Sequence, residues 1–205
     1  MISPIKMKQL ELPSWGGKRA GAGRKASGLV RRVSHKRRPI HVARFPVHVV
    51  MRARKDVPGL RRGSVFRSVR AALANGAERA GFRLIHFSVQ GNHLHLVVEA
   101  VDRVALSRGM QGLAVRIAQA VNRAAGRKGT VFADHYFARE LKTPAEVRRA
   151  VRYVLDNRML HGALAPQTDP CASSAPVVSP RTWLLKVGWL RSRAGPLPVA
   201  EWCIL

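Results

Sequence analysis

Cysteine is almost missing from this chain. Only Cys171 and Cys203 occur in 205 residues, both near the C-terminal end. Their spacing fits neither a zinc-ligand pattern nor a disulfide framework, and it points to a reducing, cytoplasmic compartment. Acidic residues are scarce as well: 11 Asp and Glu stand against 37 Lys and Arg, a formal net charge of +26. A field of that sign selects polyanionic partners, with nucleic acid first. An anionic membrane surface is the competitor, but no apolar stretch approaches the roughly 20 residues of a membrane span. The basic N-terminus also lacks the apolar run of a secretory signal. Tyrosine is the rarest aromatic, with only Tyr136 and Tyr153, so any phenol chemistry has two candidates.

What is present suffices for one domain with tails: 46% of residues are apolar, enough to fill a core. Residues 1–38 carry eleven Lys and Arg and one acidic residue, Glu11. This Gly-rich segment has no hydrophobic period and reads as a disordered basic arm. Lys18, Arg19, Arg24, Lys25, Arg37 and Arg38 are its candidate nucleic-acid contacts. The bland alternative is a solvated tail that only raises general affinity. Residues 39–162 read as the catalytic domain. Residues 163–205, rich in Pro, Ser and Trp, read as a short packed extension around Trp183, Leu184, Leu185, Trp189 and Leu190.

Within 39–162 the periodicity predicts strands over 40–45, 82–90 and 93–99, and a fourth over 130–141. Gly91-Asn92 is a hairpin turn between the second and third. Helices are predicted over 64–79, 102–125 and 143–161, the last opened by Thr143-Pro144-Ala145-Glu146, a capping box with Pro at the first helical position. The order β-α-β-β-α-β-α implies an α+β, ferredoxin-like or RRM-like fold. A four-stranded antiparallel sheet with helices on one face is expected, followed by a C-terminal helix.

The densest chemistry is in Asn92-His93-Leu94-His95-Leu96-Val97-Val98. Side chains alternate along a strand, so His93 and His95 share a face while Leu94, Leu96 and Val98 share the other. Two imidazoles aimed at one point are half of a metal site; the ordinary reading is a pair of sheet histidines. The last helix supplies the rest. Tyr153 and Asn157 lie four residues apart on one flank, and Arg149 precedes Tyr153 by a turn. This set suits attack by the Tyr153 phenolate on a phosphodiester. His93, His95 and Asn157 would hold Mg²⁺ or Mn²⁺, Arg149 or Arg152 would stabilise developing charge, and Arg148 and Arg152 would contact DNA. Tyr136 is the alternative nucleophile, and His135 and His86 are alternative ligands.

These residues resemble a known family. Gly91-Asn92-His93-Leu94-His95-Leu96-Val97 resembles the His-hydrophobic-His motif of single-tyrosine HUH transposases, and Arg152-Tyr153-Val154-Leu155-Asp156-Asn157 resembles their tyrosine helix. Val131-Phe132-Ala133-Asp134-His135-Tyr136 resembles the segment leading into that helix. The similarity is greatest to the REP-associated tyrosine transposases and related IS200-like proteins, over roughly residues 39–162. One departure is Arg158, where the family commonly has Pro after the amide residue. The resemblance implies an enzyme that cuts and rejoins single-stranded DNA at hairpin-flanked sites through a 5′-phosphotyrosine. It implies His93, His95 and Asn157 as ligands of a divalent ion, a homodimer, and a nucleoid-associated place in the cytoplasm. The competing function is a non-catalytic RRM-like module that binds single-stranded nucleic acid. Such modules stack bases on exposed sheet aromatics, where this chain has His and Ser.

Overall fold

In a computed structural model of the protein, residues 40–155 and 169–193 are described. Pro46 opens a β-branched run, and that run forms the first strand, β1 (Val47–Arg52). The strand expected over 40–45 is a loop instead: Ile40 is 86% exposed, and Phe45 N–H donates to Val42 O in a turn, 3.0 Å. The reason is physical. Five of the six β1 residues are buried, so a strand covered on both faces shows no alternation, whereas the loop before it imitates a half-buried strand.

After β1 come α1 (Gly63–Asn75), β2 (Glu78–Arg79), β3 (Phe82–Val89), β4 (His93–Ala100), α2 (Arg103–Ala124), β5 (Phe137–Glu140) and α3 (Pro144–Leu155). The sheet order is β2-β3-β4-β1-β5, and every neighbouring pair is antiparallel. Setting β2 aside, this is the expected split βαβ arrangement. β2 is the extra, fifth strand. The helix predicted over 64–79 stops at Asn75, and Gly81, at φ 73°, turns the chain so that Glu78 and Arg79 pair back on β3. The fourth predicted strand, over 130–141, shortens to the four residues of β5, with Phe132 joined to Ala53 by an isolated bridge.

The sheet separates two cores. Leu94, Leu96 and Val98 of β4 join Val65, Val69 and Leu73 of α1 and Met110, Leu113 and Ile117 of α2. The approach is close: a Cβ on Gly109 of α2 would stand 2.2 Å from the Phe82 ring. Ile85 and Val97 face the other way and pack with Val147, Ala150, Val151 and Val154 of α3 and with Leu184 and Leu185. Thus α1 and α2 cover one face, and α3 with the C-terminal segment covers the other. That segment also protects the outer edge of β3 beyond β2. Val89 N–H donates to Cys171 O at 2.8 Å, Ser173 N–H to Phe87 O at 2.9 Å, and Val177 N–H to Ile85 O at 2.8 Å. The Glu99 carboxylate then accepts the backbone N–H groups of Arg181 and Thr182 at 2.8 Å each.

Candidate active site

Two central strands and one helix build the site. His93 and His95 hold alternate positions on β4, so both rings stand on the face covered by α3. Their centroids lie 4.7 Å apart with ring planes at 86°. His95 is buried and His93 half-buried, so the pair runs from the core to the surface. His93 Nδ1 is 2.7 Å from Asn92 Oδ1. An amide oxygen only accepts, so Nδ1 donates there and the ring's lone pair sits on Nε2.

Tyr153 reaches the pair from α3. The helix begins with the expected capping box: Glu146 N–H donates to Thr143 Oγ1 at 3.2 Å, and Thr143 N–H donates to Glu146 Oε2 at 3.0 Å. Its stripe of Val147, Ala150, Val151 and Val154 locks the rotation against the sheet. The buried Tyr153 ring then meets His95 edge-on, with centroids 4.9 Å apart and planes at 88°. The Tyr153 ring and the imidazole ledge therefore meet within one chain.

A third histidine completes this wall, and the sequence reading did not find it. His48 of β1 is 1% exposed. Its Nε2 lies 3.2 Å from His95 Nδ1, and its ring is 6.4 Å from that of Tyr153. Burial first, and the Arg139 charge second, pull its pKa down to about 3, so it is neutral at physiological pH. The available signal was a lone polar residue in Val47-His48-Val49-Val50. It was missed because the first strand was placed seven residues too early.

Other predicted residues fall as follows. Arg149 is half-buried one turn before Tyr153, and Arg152 is exposed. Arg148 is half-buried, and its Nη1 donates to Trp189 O at 3.5 Å, which ties it to the C-terminal segment. Tyr136 packs against the α1/α2 core, on the opposite side of the sheet from the ledge. His135 is exposed, and its backbone N–H donates to Asp134 Oδ1. His86 is buried against Ser173 Oγ, 3.2 Å, with its pKa lowered to about 4 by burial. Asn157 and the arm residues Lys18, Arg19, Arg24, Lys25, Arg37 and Arg38 lie outside the described residues.

The base of the β3–β4 hairpin is braced beside the ledge. Ser88 pairs with His95 across the strands and accepts from Gln90 Nε2 at 2.7 Å. Arg61 donates to Gln90 Oε1 and to both oxygens of the buried Asp169. Hence the chain that returns after α3 is anchored to the turn that carries His93.

As to a metal, no group of three or more His, Cys, Asp or Glu side chains among the described residues is arranged to hold one. The two imidazoles of the ledge are nonetheless donors that a borderline divalent cation accepts. His93 already has its lone pair on Nε2, and the third expected donor is the Asn157 amide. The residues fit half of such a site. Among the described residues, no helix is long and apolar enough to cross a membrane.

The family model described as "Transposase IS200 like" matches residues 41–157, more than half of the chain. No curated protein matches. Solved structures are similar too, two of which follow. One is a REP-associated tyrosine transposase bound to a REP hairpin, 16% identical, with a TM-score of 0.49 over 66% of this chain and 82% of that one. The other, a Deinococcus radiodurans R1 protein described as a transposase, is 13% identical, with a TM-score of 0.41 over 66% of this chain and all of that one.

Proposed function

This chain belongs to the IS200-like transposase family, and from that premise we propose that it cuts and rejoins single-stranded DNA at hairpin-flanked sites through Tyr153. Members of the family serve DNA transposition. The observation that carries the reading is the meeting of the Tyr153 ring and the His95 ring at 4.9 Å within one chain.

In the proposed reaction the Tyr153 phenol loses its proton and its oxygen attacks a backbone phosphorus. The P–O3′ bond breaks, the 3′-oxygen departs and takes up a proton, and a 5′-phosphotyrosine remains. Because the phosphoryl group stays on the enzyme, an incoming 3′-hydroxyl reverses the step and joins strands without a nucleotide cofactor. A phenol with an ordinary pKa near 10 is a weak nucleophile at neutral pH, so help with charge is needed. His93, His95 and Asn157 would hold Mg²⁺ or Mn²⁺, which supplies Lewis-acid polarisation of the phosphate. Arg149 sits one turn from the phenol and adds a fixed positive charge for the developing oxyanion. His95 and His48 wall the phenol and restrict its ring. Arg152 and the arm cations Lys18, Arg19, Arg24, Lys25, Arg37 and Arg38 hold the strand by its phosphates, and Arg148 joins them from the flank of α3 that meets the C-terminal segment. The arm of residues 1–38 and the extension of residues 163–205 then serve DNA choice around the central domain, in a DNA-bound cytoplasmic protein that pairs as a homodimer.

The test is a covalent-adduct assay with a hairpin-flanked oligonucleotide and Mn²⁺. The protein forms a species that migrates as protein plus DNA in denaturing gels. Tyr153→Phe abolishes that species and keeps DNA binding within about twofold. A Tyr153→Phe variant that still forms the adduct refutes the assignment.

A further inference from the structure

The buried His48 of β1 touches His95, one of the proposed cation ligands, through a ring nitrogen of each. The two ring planes are nearly parallel, 7° apart, with centroids 5.3 Å apart. That separation is close to the 3.2 Å N···N distance extended by the two ring radii. The closest approach is therefore nitrogen to nitrogen, with the lone pair of one facing the N–H of the other. One ring must donate and the other must accept, and this choice fixes the tautomer of both.

We infer that His48 is a positioning residue: it accepts the Nδ1–H of His95 and so keeps the His95 lone pair on Nε2. This rests on the reading of His95 as a cation ligand, since the opposite arrangement would place a proton where that ligand must offer electrons. It also completes a symmetry in the ledge. His93 donates its Nδ1–H to Asn92 Oδ1, so both imidazoles present the same nitrogen. Their partners differ in kind. Asn92 is an exposed turn residue, whereas His48 is buried on β1, the strand paired directly with β4. The orientation of His95 is thus set by sheet register, and that of His93 by a side chain in the hairpin turn. Metal-bound imidazoles usually donate their other N–H to a carboxylate, a carbonyl or water. A neutral imidazole acceptor gives the same direction without adding negative charge to the site.

The experiment uses the full chain with ¹⁵N-labelled histidine. Long-range ¹H–¹⁵N spectra in Mg²⁺ report the His95 tautomer, and titration with Mn²⁺ reports affinity. The wild type shows the His95 proton on Nδ1. His48→Phe, which fills the space and cannot accept, weakens Mn²⁺ binding about tenfold to a hundredfold. His48→Gln, whose side-chain oxygen accepts, recovers most of that loss and keeps the Nδ1–H tautomer. Should His48→Phe fail to fold, the wild-type and His48→Gln spectra decide the matter. A His95 proton on Nε2 overturns the inference, as does a folded His48→Phe with wild-type Mn²⁺ affinity. If either appears while wild-type protein still forms its DNA adduct, the role of His48 falls alone. Wild-type protein that neither binds Mn²⁺ nor forms the adduct removes the site reading and this inference together.

Discussion

Histidines sealed inside a sheet make a protein sensitive to acid, and His86 is the clearest instance here. Its pKa falls from 6.5 to about 4 because burial penalises the charged ring. The unfolded chain takes up that proton near pH 6.5 and the folded chain only near 4. Between these values the unfolded state binds more protons, so stability is full above about 6.5 and declines as pH falls toward 4. Replacing His86 with Gln removes its share of the slope. Urea midpoints measured at pH 7 and pH 4.5 should differ less for His86→Gln than for the wild type; an unchanged difference contradicts the argument. Legibility at this scale followed rarity and period. Tyr153 stood out because there are two tyrosines, and His93 and His95 because their spacing is that of one strand face. His48 did not, since its partner His95 lies 47 positions away and only the β1–β4 register brings them together.

At the scale of elements, the helix that carries Tyr153 depends on its first turn. Thr143 and Glu146 satisfy each other's backbone N–H groups, and Glu146 also accepts Lys142 N–H at 2.7 Å. Thr143→Ala should cost about 1 kcal/mol of stability, read as a lowered urea midpoint with an unchanged slope. A loss near zero would mean that packing on Ile85 and Val97 alone holds α3 in place. These capping signals were legible because they are local. The first strand was not, because burial on both faces erased its alternation. The face assignments on β3 were not legible either. Strict alternation would put Leu84, His86 and Ser88 on one face, but the register with β4 shifts between Leu84 and His86. Leu84 therefore joins the α1/α2 core while Ser88 stands opposite His95. A bulge adds a residue to one strand only, and nothing in the local pattern announces it.

For the whole molecule the governing quantity is charge. A net charge of +26 makes phosphate contacts the main source of DNA affinity, each releasing condensed counterions. On single strands the logarithm of the binding constant should fall with the logarithm of salt by about 0.7 per neutralised phosphate. A steep linear decline between low and physiological salt is expected, and a flat response would exclude backbone binding. Charge of this size was plain in the composition, but composition does not say where on the surface it acts. The proposed reaction acts more locally: one phenol, on α3, becomes covalently joined to DNA. Wild-type protein should therefore be incubated with a hairpin-flanked single strand and Mn²⁺, digested with protease and nuclease, and sequenced by mass spectrometry. The account predicts a nucleotide-bearing peptide modified at Tyr153. Modification at Tyr136, or bound DNA with no modified peptide, would contradict it.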